Sequence, residues 1–80
     1  MDTPLNVIIS LTHDRALVLF EWLYRESKGN RIPSDHESEL RVLWHIEGQL
    51  ERLLVAPLNA NYHEAIKVAR ERVVIAKEGS

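Results

Sequence analysis

The chain of 80 residues contains no cysteine, so no disulfide can staple it and no thiolate can hold a metal ion. A chain this short buries only about 60% of its unfolded surface. Its core must therefore hold unaided or with the help of a partner subunit. An excess of one charge is missing too. Ten Lys and Arg against 12 Asp and Glu leave −2, which offers no field to gather nucleic acid or an anionic membrane. No stretch approaches the roughly 18 apolar residues of a membrane-spanning helix. The opening "MDTPLNVIISL" lacks the basic start of a signal peptide. A soluble, cytoplasmic protein with no membrane role is the expectation. Glycine is scarce, with three in all, and no glycine-rich phosphate loop or G-x-S-x-G elbow occurs.

What is present is an ordinary globular balance, 45% hydrophobic and 28% charged, organised by three helix starts. Thr12 precedes "HDRALVLF" as an oxygen-bearing cap, with Asp14 near the positive helix end. The periodicity predicts a helix over about 13–28, ended by Gly29 and Asn30, which can take the left-handed conformation, and by Pro33. Ser34-Asp35-His36-Glu37 reads as an S-x-x-E capping box opening a second helix over about 35–55, which Pro57 stops. Asn61-Tyr62-His63-Glu64 repeats the pattern for a third helix over about 62–76. Before the first helix, "LNVIISL" (5–11) is β-branched and too short for a helix. It is expected as an extended segment or lone strand that crosses the helices, pairs with the "RVVIA" tail, or pairs with another chain. Short connections favour antiparallel neighbours, so the expected fold is mainly α, an antiparallel three-helix bundle forming one domain.

At about 100° per residue, Ala16, Leu17, Leu19, Phe20, Leu23 and Tyr24 share one stripe of the first helix. Val18 and Trp22 fall opposite, among Asp14, Arg15, Arg25 and Glu26. Either "LNVIISL" folds over them, or they belong to an interface, for which Trp beside Arg is the usual composition. The second helix carries Leu40, Leu43, Ile46, Leu50, Leu53 and Leu54, edged by Val42 and Trp44, and is expected to be the backbone of the fold. The third presents Tyr62, Ala65, Ile66, Ala69, Val73 and Ala76, whose alanines would allow a close approach to the second.

Glu47 falls on the apolar face of the second helix, where a carboxylate needs a partner. Tyr24, Tyr62, Arg70 and Arg72 are the candidates; a raised-pKa acid and an interfacial charge are the alternatives. With Glu51 it would form an acidic strip beside Trp44. Gly48 either admits a close neighbour or is a tolerated residue costing about 1 kcal/mol relative to alanine. The four histidines have neither H-x-x-x-H nor HExxH spacing, so no metal site, cofactor site or catalytic residue is expected. Lys67, Arg70 and Lys77 make a basic ridge on the third helix, offset by Glu64, Glu71 and Glu78.

The runs "LTHDRALVLFEWLYR" and "ELRVLWHIEGQLERLLVAPLNANYHEAIKVARERV" resemble small stand-alone bacterial proteins that open on "LTHDEALVLFEWL", from Val7 to Val73. Arg15 departs from them: those proteins often place there the acid of a T-x-x-E box. The first cap is therefore expected to be less complete. The resemblance implies a bacterial origin and a compact helical domain. That group has no established activity, so no site is carried over.

The sequence thus points to a non-enzymatic protein-binding module. It would be an immunity, antitoxin or accessory type of protein that masks a partner, or a self-associating homo-oligomer with no small-molecule substrate. Val18, Trp22 and Trp44 would carry the contact, with Glu47 and Glu51 supplying charge. The alternative is a small DNA-associated regulator using Lys67, Arg70 and Lys77.

Overall fold

Local hydrogen bonds at the caps decide where each helix begins in the computed structural model, which describes residues 5–54 and 60–76. Helix α1 spans His13–Lys28, α2 Glu37–Leu53 and α3 Tyr62–Ile75. The protein is mainly α, and the described residues include no strand.

Thr12 caps α1 as its sequence suggests, its hydroxyl accepting the Arg15 backbone N–H at 3.2 Å. At the other end Asn30 takes the left-handed conformation (φ 55°), while Gly29 stays right-handed. The N–H of Arg31 reaches the carbonyl of Glu26 at 2.9 Å and that of Asn30 reaches Ser27 at 3.1 Å, the paired bonds of a Schellman close. The Arg31 guanidinium then returns to the Glu26 carboxylate, 3.1 Å from Nε to Oε1. That contact holds the Glu26 carboxyl below the usual carboxylate range.

The second start differs from the expected box. The cap is His36 and not Ser34, and the helix begins at Glu37, two residues later than expected. His36 Nδ1 accepts the Ser38 N–H at 3.0 Å, and the Glu39 carboxylate accepts the Asp35 N–H at 2.8 Å. Two separate side-chain bonds therefore close this turn in place of a reciprocal box, and Glu37 is left to pair with Arg41 on the surface. The helix already ends at Leu53, with Leu54 extended. Val55 and Pro57 lie outside the described residues. Asn61 precedes α3, but its side chain makes no cap hydrogen bond. The first turn is instead closed by the backbone, Ala65 N–H to the Asn61 carbonyl at 3.0 Å.

The core comprises Ala16, Leu17, Phe20 and Leu23 of α1, Leu50 and Leu54 at the end of α2, and Ile66 and Ala69 of α3. Helix α1 packs against both of the others, whereas α2 and α3 barely meet. This corrects the expectation that the second helix is the backbone and that the alanines of the third approach it: α3 lies on α1, and α1 organises the bundle. One consequence is that α2 is covered along one edge only. Leu53, expected in the core, is exposed, as are Val42, Val74 and Ile75. Tyr24, also expected inside, stacks on Phe20 (centroids 6.1 Å apart) and leaves its hydroxyl to Lys28 at the surface.

The segment before α1 does not cover the helices. Leu5, Val7, Ile8 and Ile9 are 77–91% exposed, and no backbone hydrogen bond holds residues 5–11 among the described residues. The "RVVIA" tail cannot serve as its strand partner, because α3 continues through Ile75.

Candidate interaction groove

With the N-terminal segment standing clear, Trp22 of α1 remains exposed, while Val18 is half-buried against the edge of the core. Val18, Leu19 and Trp22 of α1 and Val73 of α3 line a groove of about 450 Å³, rimmed by Arg15, Arg25 and Arg70. Antiparallel packing of α3 on α1 creates it. Near the head of α3, Tyr62 donates its hydroxyl to Glu21 Oε1 at 2.6 Å, and near its tail Arg72 lies 3.7 Å from Asp14. Val73 and Arg70, one turn apart, are thereby set beside Val18 and Trp22.

The rim is electrostatically uneven. Arg25 is shared between Glu21 at 3.4 Å and Glu26 at 3.3 Å. Neither Arg15 nor Arg70 forms an ion pair among the described residues. Two guanidiniums thus border an indole that is 42% exposed. Such a surface holds apolar side chains along its floor and oxygen acceptors along its edge.

Trp44 lies elsewhere. Its indole Nε1 donates to Ser27 Oγ at 3.2 Å, and with Ile32 and Leu40 it closes a crevice of only about 20 Å³ between the end of α1 and α2. The two tryptophans named from the sequence do not share a surface, and no α2 residue lines the groove.

Glu47 is half-buried on α2 with no hydrogen bond or ion pair among the described residues. None of the four anticipated partners reaches it. Tyr62 donates to Glu21, Tyr24 accepts from Lys28, Arg72 pairs with Asp14, and Arg70 borders the groove. Desolvation, and secondarily the charge of Glu51, push the Glu47 carboxyl above its ordinary value. The tyrosine-bonded carboxylate is therefore Glu21, which sequence reasoning missed. Its signal was its place on the α3-facing flank of α1, one turn from Leu17 and Arg25. Burial first, then the bond to Glu21, push the Tyr62 phenol above its ordinary value.

Of the basic ridge, Lys67 and Arg70 are exposed on α3, and Lys77 lies outside the described residues. Gly48 has open space around it: an added methyl would meet only the Arg52 guanidinium, at 3.8 Å. This favours the tolerated-residue reading. Among the described residues no group of His, Asp and Glu is placed to hold a metal ion, and no helix is long and apolar enough to cross a membrane. No known family model, no curated protein and no solved structure matches the chain.

Proposed function

We propose that this protein is a non-enzymatic protein–protein interaction module, working in the cytoplasm of a bacterial cell. It would mask a partner in the manner of an immunity, antitoxin or accessory protein, or associate with itself. One observation carries the reading: the Val18–Trp22 groove is apolar along its floor, cationic at its rim, and uncovered by the chain's own N-terminal segment. The side chains there are aliphatic, indole and guanidinium. None of these exchanges a proton or attacks a substrate near neutral pH, whereas Trp and Arg together are the residues that dominate binding surfaces. Trp44, Glu47 and Glu51 belong to a separate flank and are secondary candidates.

Cross-linking in bacterial cells tests this with three proteins: the unaltered chain, Trp22→Ala, and Val42→Ala as an exposed apolar control on α2. The expected result is a covalent complex with a protein, own or foreign, that Trp22→Ala abolishes and Val42→Ala retains, with helical circular dichroism equal in all three. No complex, or one indifferent to Trp22, overturns the reading. The DNA-associated alternative draws on Lys67 and Arg70; duplex binding that weakens steeply with salt is the result that supports it.

A further inference from the structure

We infer that two copies of this chain exchange their N-terminal segments, each laying Leu5–Leu11 into the Val18–Trp22 groove of the other. This rests on the interaction reading above and names its partner. The segment is built for one-sided burial. In an extended chain, side chains alternate between faces. Leu5, Val7, Ile9 and Leu11 then form an unbroken aliphatic face, while Asn6 and Ser10 share the other with Ile8. The four odd positions are apolar yet stand exposed. The groove is the complementary case, an apolar floor with nothing over it.

Length and area agree with an exchange. Residues 5–11 in extended form reach about 20 Å, and α1 between Arg15 and Arg25 rises about 15 Å. Four aliphatic side chains at roughly 100 Å² each bring about 400 Å² of apolar surface per segment. With both segments docked, and the groove walls they cover counted, the contact is roughly 1,000 Å², at the lower bound for a specific interface. The contact is also self-closing, since each copy gives the same segment and offers the same groove, so a two-fold dimer completes it. Within one chain the segment does not lie on its own groove. Thr12 is extended (φ −65°, ψ 161°) and tied to Arg15 at the helix head, and the segment it leads to lies off the helices.

The absence of cysteine makes the test direct. Single-cysteine proteins Ile9→Cys and Val73→Cys, mixed in equal amounts and oxidised, are expected to give the mixed covalent dimer almost exclusively, well beyond the half of the product that random pairing yields. Ile9→Asp is expected to halve the molar mass seen by light scattering, with helical circular dichroism unchanged. A statistical mixture of cross-links, or a dimer that survives Ile9→Asp, overturns the exchange. A dimer that survives Ile9→Asp yet is lost in Trp22→Ala overturns it while keeping the groove as an interface. An unaltered chain that is monomeric at every concentration also overturns it; the cross-linking with Trp22→Ala then decides separately whether a foreign partner uses the groove.

Discussion

Trp22 and Trp44 differ little in exposure, 42% and 50%, yet only Trp44 is provided for within the chain. Its indole N–H is bonded to Ser27 and its ring closes a small crevice against Ile32 and Leu40. Trp22 has no hydrogen bond among the described residues and borders an open groove. The carboxylates repeat the contrast, for Glu21 accepts from Tyr62 across the α1–α3 contact while Glu47, on α2, is half-buried without a partner among the described residues. Exposure alone therefore does not separate these residues; what does is whether the fold meets the needs of the apolar or polar group.

The sharpest way to break this comparison uses adjacent residues. Leu23 is 1% exposed in the core and Trp22 is its neighbour in the chain. Leu23→Ala is expected to cost about 3 kcal/mol, a large part of the stability of so small a domain, whereas Trp22→Ala should cost the isolated subunit less than about 1 kcal/mol. Urea unfolding at low concentration, followed by circular dichroism, measures both. Equal losses would place Trp22 in the core and remove the distinction.

Next in size is the satisfied carboxylate. Tyr62→Phe deletes the hydrogen bond to Glu21 and should cost about 1.5 kcal/mol at pH 7, in the range for bonds to charged groups. The phenol titrates higher in the folded protein than the value of about 10 it has when unfolded. Its contribution is therefore complete below about pH 10 and is lost as the pH rises further. The stability gap between the two proteins should narrow above that pH; a constant gap would mean the hydroxyl does not bind as described.

The unsatisfied carboxylate gives the smallest effect and the opposite sign. Folding raises the Glu47 carboxyl, so its ionised form is disfavoured in the fold. The stability it contributes is complete below about pH 4 and falls as the pH rises through the folded value. Glu47→Gln should thus raise the thermal midpoint at pH 7 and leave it unchanged near pH 3. A lower midpoint at pH 7 would reveal a partner for Glu47 and end the parallel with Trp22.

Much of α1 was legible in advance because its signals are local: Thr12 at one end, Gly29 and Asn30 at the other, and Ala16, Leu17, Phe20 and Leu23 at helical spacing between them. The start of α2 was not, since Ser34 and His36 compete as caps two residues apart, and the outcome turns on an imidazole nitrogen acting as acceptor. Periodicity also states which face is apolar without saying what covers it. For that reason Val18 and Trp22 could be named as off-stripe, while the central role of α1, the exposure of Leu53, and the placing of Arg70 and Val73 opposite Trp22 emerged only from the packing of α3. Leu19 packs against the core as expected while also lining the groove, and Val73, expected in the core, sits on the groove floor for the same reason.

Two single-tryptophan proteins, Trp44→Phe and Trp22→Phe, put the central claim to its most direct test through acrylamide quenching from dilute to concentrated solution. The account predicts that the protein retaining Trp22 becomes shielded and blue-shifted as concentration rises, while the one retaining Trp44 does not change. Trp22 remaining fully quenchable throughout, or both residues responding alike, would contradict it.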